Sequence, residues 1–188
     1  MEDKKIVIGL VGQIACGKGV VKKYLIEKYN ASDYRFSTIL RDVLDRLNIE
    51  VSRENLSSLS TSLRQSFGEG LLAEAMKEDV SNDEHKVIII DGIRRMTDME
   101  HLKTLGNFHL ISVKVDDKIR YDRVVSRNEN AGDADKTYEE FDQDQKAEPE
   151  KEIPEVMSKA DFEVVNEGTL DELYEQIEKI LAEIKNKV

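Results

Sequence analysis

Gly12-Gln13-Ile14-Ala15-Cys16-Gly17-Lys18 has the spacing G-x-x-x-x-G-K. In such a loop glycines let the backbone turn successive N–H groups inward, and the lysine reaches the β and γ phosphates of a polyphosphate. The chemistry served is anion capture. Gly19 and Val20 follow Lys18 at the place where a Ser or Thr hydroxyl usually holds Mg²⁺. Magnesium is therefore expected to be held by water, by phosphate oxygens and by a carboxylate elsewhere in the chain. Cys16, inside the loop, is read as a small filler residue.

Asp91-Gly92-Ile93-Arg94-Arg95 follows a run of branched apolar residues and is the second group with chemical potential. Asp91 is the candidate magnesium ligand, acting through water. Arg94 and Arg95 are candidate phosphate clamps, because a guanidinium offers two parallel donors; a solvated turn with surface arginines is the alternative. Ser37 and Thr38, with Arg41 one helical turn on, suit a phosphate or a ribose, although Arg41 could equally pair with Asp45 at i+4. Ser52, Arg53, Asn55 and Arg64 are weaker polar candidates. Arg120, Arg123 and Arg127 recur at spacings of three and four along one side of a helix. Such a stripe would stabilise charge spread over a moving phosphoryl group, with 128–133 as a hinge and Lys136 or Lys146 assisting; surface pairing is again the alternative. His85, His101 and His109 are scattered, and one cysteine leaves no zinc spacing.

These groups need a frame. Apolar runs at Ile6–Leu10, Tyr34–Phe36, Lys86–Ile90, His109–Val115 and Phe162–Val165 alternate with helical patterns. The alternation predicts a parallel sheet with helices on both faces. A helix over Val20–Tyr29 would aim its positive end at the bound anion. Ile39, Leu40, Val43, Leu44 and Leu47 form one apolar helix face, Leu56, Leu59, Leu63 and Phe67 another, and Leu173, Ile177, Ile180, Leu181 and Ile184 a third. Thr97 with Glu100, Thr137 with Glu140, and Thr169 with Glu172 fit the capping box. About residues 37–85 are far longer than a minimal crossover and predict a helical insert beyond the carboxyl ends of the strands, where a second substrate would lie.

The chain has 188 residues, 39% of them hydrophobic, which suits one α/β domain. No apolar run reaches the length of a membrane span, the first residues lack an apolar leader pattern, and a cytoplasmic location is expected. Between Glu129 and Glu163 there are 13 acidic residues against four lysines, which accounts for −9 of the net charge of −11. That balance argues against a nucleic-acid polymer as partner but allows small phosphorylated ligands. Oligomeric state is left open.

Taken together, Gly12–Gly19, Phe36-Ser37-Thr38 with Arg41, Ser52–Leu56 with Leu63-Arg64 and Phe67-Gly68, Asp91–Arg95, Arg123 with Arg127, and Asn166–Leu170 resemble the P-loop nucleoside monophosphate kinase superfamily. The similarity is greatest to its dephospho-CoA kinase-like and deoxynucleoside monophosphate kinase-like branch. The resemblance implies a three-layer α/β P-loop fold with a five-stranded parallel sheet. It also implies a core of 1–36, 86–127 and 160–188, an acceptor-binding insert at about 37–85 and a lid at about 128–159. ATP would occupy Gly12, Gln13, Ile14, Ala15, Cys16, Gly17, Lys18, Gly19 and Val20, with Asn166 and Gly168 near the adenine. Lys18, Asp91, Arg123 and Arg127 would serve transfer, Asp91 through hydrated Mg²⁺. Ser37, Thr38, Arg41, Arg64, Arg94 and Arg95 would face the acceptor. The expected reaction is ATP-dependent phosphorylation of a nucleoside or deoxynucleoside monophosphate. Two alternatives stand beside it: a dephospho-CoA kinase, with Asp33 as general base toward a ribose hydroxyl, and a nucleotide-binding switch without turnover.

Overall fold

Strand β1 (Ile6–Val11) is buried along its whole length, and its side chains divide between two cores. Ile6, Ile8 and Leu10 join one apolar cluster and Val7 and Val11 the other, as the period-2 pleat requires of a strand covered on both faces. The computed structural model describes residues 5–127, 133–147 and 150–187. Around β1, strands β2 (Ser32–Arg35), β3 (Val87–Asp91), β4 (Phe108–Lys114) and β5 (Phe162–Val165) form one sheet in the order β2-β3-β1-β4-β5. Every pairing is parallel.

On one face, α1 (Lys18–Tyr29) and α9 (Leu170–Lys187) supply Val21, Leu25, Leu173, Ile177, Ile180, Leu181 and Ile184 to the first cluster. On the other, α2 (Phe36–Arg46), α4 (Leu71–Asn82), α5 (Met96–Lys103) and α8 (Ile153–Ser158) supply Phe36, Leu40, Leu72, Met76, Val80, Met99, Leu102, Ile153 and Val156. Helix α3 (Arg53–Phe67) adds only the partly buried Leu56, Leu59 and Leu63. The remaining helices among the described residues are α6 (Asp117–Arg127), a 3-10 turn at Asp133–Asp135 and α7 (Tyr138–Gln145). The sheet is therefore the middle layer of three.

Differences from the sequence reading are local. Phe36 opens α2 and does not end β2, because its side chain is needed in the α2–sheet core. Helix α1 begins at Lys18, before Val20. Leu47 and Phe67 are exposed despite completing apolar helical stripes. The capping boxes at Thr137–Glu140 and Thr169–Glu172 form. The one expected at Thr97–Glu100 does not, because α5 starts at Met96 and Arg95 is its cap residue. Ser52 instead caps α3, accepting the Asn55 N–H at 3.1 Å, while Asn55 donates to Glu50 O at 2.8 Å. These two candidates are thus used in shaping a helix start.

The stretch drawn as a lid lies partly outside the described residues, as do positions 128–132 of the expected hinge. Within it, α8 buries Ile153 and Val156 in the second core. No helix among the described residues is long and apolar enough to cross a membrane.

Candidate functional site

The loop between β1 and α1 turns through two left-handed residues, Ala15 at φ 60 and Gly17 at φ 94. At Gly17 the glycine is required twice over: its φ disfavours any side chain, and a Cβ there would lie 2.1 Å from Asn166 Nδ2. The N–H groups of Ile14, Ala15, Gly17, Lys18 and Gly19 have no acceptor among the described residues. Five donors within six residues, at the start of a helix, form an anion cradle. The Lys18 ammonium folds back to donate to Gly12 O and, at 3.3 Å, to Gln13 O, with Cys16 Sγ 3.4 Å away. Cys16 itself is buried, as a filler residue would be.

Three elements brace this loop from outside. Arg120, fully buried on α6, donates to Ile14 O at 3.2 Å, to Asp117 Oδ1 at 2.6 Å and to Gln145 Oε1. Its guanidinium carbon lies 5.3 Å from the Phe141 ring centroid. Arg123 donates to Asn166 O at 2.8 Å and to Ala15 O at 3.5 Å, while Asn166 Nδ2 donates to Cys16 O at 2.9 Å. Gln13 Nε2 donates to Gln145 Oε1 at 2.8 Å, and Ala15, Val124 and Phe141 form a small apolar cluster with Ile14 and Tyr121. Arg120 and Arg123 thus hold backbone carbonyls of the loop or its neighbour, whereas Arg127 is exposed at the end of α6. Gly168 lies in the turn before α9, where a Cβ would meet the Glu172 carboxylate at 2.1 Å.

At the carboxyl end of β3, beside β1, Asp91 Oδ1 accepts the Gly92 N–H at 2.8 Å. Its Oδ2 lies 3.4 Å from Arg35 Nε and 3.9 Å from Lys22 Nζ, and Lys22 also reaches Asp33 Oδ2 at 2.8 Å. Asp33 and Asp91 therefore share one ammonium group next to the cradle. Position 19 has no side chain and position 20 no oxygen, and no group of three or more His, Cys, Asp or Glu among the described residues could chelate a metal. Two carboxylates without a direct chelating set fit a hydrated magnesium ion that arrives with nucleotide phosphates.

Beyond Asp91, Arg94 pairs with Glu150 Oε1, and Arg95 lies 3.8 Å from Glu152 and 4.0 Å from Glu69. Glu152 Oε2 also accepts the first N–H of α5, from Met96, at 3.0 Å. Arg64 is buried, donating to Asp98 Oδ2 at 2.9 Å and to Glu69 O. Arg64 Nε and Asp98 Oδ1 are left without partners. Burial pushes the Asp98 carboxyl up against the opposing pull of Arg64. Ser37 and Thr38 occupy the first turn of α2, with Arg41 exposed one turn later and making no ion pair with Asp45. Sequence reasoning missed Lys22, Arg35, Gln145, Glu150 and Glu152. Lys22 carried a signal, one helical turn after Lys18; the others meet their partners only through tertiary packing.

Comparison with known proteins places the chain. Residues 8–148 match a family model described as an AAA domain, and the chain belongs to that family. It is 27% identical over 180 residues to a UPF0200 protein of Hyperthermus butylicus, covering 96% of this chain and 95% of the relative. A UPF0200 protein of Sulfurisphaera tokodaii is 28% identical over 178 residues, covering 95% and 97%. Among solved structures, a shikimate kinase from Bacteroides thetaiotaomicron superposes with a TM-score of 0.59 at 12% identity, covering 94% of this chain and 98% of that one. A gluconokinase from Sinorhizobium meliloti 1021 gives 0.58 at 11% identity, covering 97% and 94%. These structures are similar in fold.

Proposed function

We propose that this member of the AAA domain family is an ATP-dependent kinase that transfers the γ-phosphoryl group to a nucleoside or deoxynucleoside monophosphate. The observation that carries this reading is the cradle itself: N–H donors without acceptors around a lysine whose ammonium is held by backbone carbonyls and a thiol. Carbonyl dipoles are weaker partners for an ammonium than a polyphosphate, so Lys18 would turn to the β and γ phosphates as they enter. The glycine bend at Gly17 admits the phosphate backbone, and Asn166 fixes the loop from behind.

Hydrated Mg²⁺, if bound with ATP, would supply charge neutralisation for the phosphates. Asp91 would hold the ion through water, its carboxylate fixed by Lys22 and Arg35. Arg123 and Arg127 come from the helix bracing the loop and would meet charge as it spreads over the transferring group. Ser37, Thr38 and Arg41 at the start of α2, with Arg94 and Arg95 before α5, would receive the acceptor. Arg64 serves that end from beneath, fixing the turn at Glu69. The chain needs no covalent intermediate, since positioning and electrostatics carry reactions of this class.

A second reading, dephospho-CoA kinase, draws on Asp33. A hydroxyl acceptor needs a general base where a phosphate acceptor does not, and Asp33 shares Lys22 with Asp91 beside the phosphate loop. Coupled measurement of ADP release with AMP, CMP, UMP, their deoxy forms and dephospho-CoA separates the readings. Turnover with one monophosphate supports the first and turnover with dephospho-CoA the second. Tight ATP binding with no acceptor-dependent turnover supports a switch and overturns both.

A further inference from the structure

Glu150 and Glu152 lie in the acidic stretch of the chain, yet they contact the two arginines assigned above to the acceptor. Arg94 is paired with Glu150, and Arg95 stands between Glu152 and Glu69. Glu152 also accepts the Met96 N–H at the start of α5. A carboxylate against a guanidinium and a helix-start N–H has the chemistry of a bound oxyanion. The short helix α8 holds these carboxylates in place, because Ile153 and Val156, immediately after them, are buried in the core.

From this arrangement we propose that Glu150 and Glu152 form an internal latch that occupies the acceptor-phosphate seat. The acceptor's phosphate must displace them before transfer can occur. The proposal rests on the reading that Arg94 and Arg95 bind the acceptor. It also gives a role to part of the chain's concentrated negative charge. The latch imposes a selection: a phosphate dianion competes with two carboxylates on equal charge, whereas a monoanionic acceptor does not. The Arg94–Glu150 pair is partly open to solvent, at 48% and 18% side-chain exposure, so water screens it and an incoming dianion can break it.

The test is calorimetric titration of the full chain with AMP, CMP, UMP and dephospho-CoA, comparing wild type, Glu150→Gln/Glu152→Gln and Arg94→Ala/Arg95→Ala. Glutamine keeps an oxygen to accept the Met96 N–H, so the fold is retained; Glu150→Gln alone leaves that contact untouched. Glu139→Gln/Glu155→Gln removes the same charge elsewhere in the segment. The expected result is binding about fivefold tighter in the latch variant only, with KM in the ADP-release assay lowered to match. Loss of the arginines should weaken binding at least tenfold. Equal affinity in wild type and latch variant, or equal tightening in the charge control, overturns the latch while leaving the acceptor reading in place. Binding unaffected by loss of both arginines, or no binding of any monophosphate, overturns the acceptor reading and the latch with it.

Discussion

The phosphate loop and the start of α5 hold their cations differently, although Arg120 also pairs with Asp117 and Lys22 with Asp33. At the nucleotide end, Lys18, Arg120 and Arg123 all donate to backbone carbonyls of the phosphate loop or of Asn166. At the other end, Arg94 and Arg95 face carboxylates. A carbonyl holds a cation through a dipole, and a carboxylate does so through a full charge. On the proposed reading, the nucleotide end would yield its lysine readily, whereas the acceptor end would require an exchange of anions. This contrast makes ATP the ligand expected to bind without hindrance and the acceptor the ligand expected to meet competition.

Lys18→Ala breaks the nucleotide end outright. It should reduce phosphoryl transfer by at least about 1,000-fold, while the melting temperature stays near that of the wild type because the residue lies on the loop side of α1 and outside the core. A wild-type rate in the ADP-release assay would remove the loop from the chemistry.

Asp98→Ala attacks the footing of the acceptor end. It strands the buried Arg64 guanidinium, and removing one partner of a buried pair costs about 3–5 kcal/mol. Urea denaturation should report that loss, and a change below about 1 kcal/mol would mean that the pair opens to water.

Asp91→Asn lies between the two ends. The rate should fall about 10- to 100-fold, with a higher magnesium concentration needed for half-maximal turnover. An unchanged magnesium dependence would exclude Asp91 from the site.

Asp83 provides a comparison away from the proposed site, at the amino edge of β3. Burial opposes its ionisation, yet the nearby Ser32 hydroxyl and the hydrogen bonds from the His85 N–H and the Tyr34 hydroxyl together outweigh burial and hold its carboxyl well below the usual range. Tyr34 is correspondingly pushed up to about 12, by burial and by its bond to Asp83. A carboxyl depressed in the folded state stabilises fully above the unfolded value, near pH 4, and loses that contribution as pH falls toward the folded value. Asp83→Asn should cost about 1–2 kcal/mol at pH 7, and the gap to wild type should narrow below about pH 4. Titration of stability by urea at several pH values checks this, with nucleotide affinity unmoved throughout.

The smallest effect is expected at Gln145, which ties α7 to Gln13 and Arg120. Gln145→Ala should change ATP affinity by no more than about threefold, read by calorimetry. A tenfold loss would make α7 part of the nucleotide seat.

Much of the frame was legible because its signals are local. Branched apolar runs marked four of the strands to within a residue, the segment Tyr34–Phe36 overlapped only the last two residues of β2, and the glycine-lysine spacing marked the loop. Thr137 with Glu140 and Thr169 with Glu172 marked two helix starts, since a capping box is closed within four residues. Local signals also misled: Thr97 with Glu100 had the box spacing, but the chain entering α5 from Arg95 placed the start two residues too early for it. Arg120 had the spacing of a phosphate-facing stripe and proved wholly buried, because Phe141 and Gln145 of α7 close over it.

The sequence by itself determined that a phosphate cradle would stand at the end of a buried parallel strand, since periodicity, glycine spacing and turn chemistry act over a few residues. Only the tertiary structure decided which partner each cation takes. Gln13 meets Gln145 across 132 positions and Arg94 meets Glu150 across 56. No local pattern encodes such distances; the packing of α6, α7 and α8 against the sheet does.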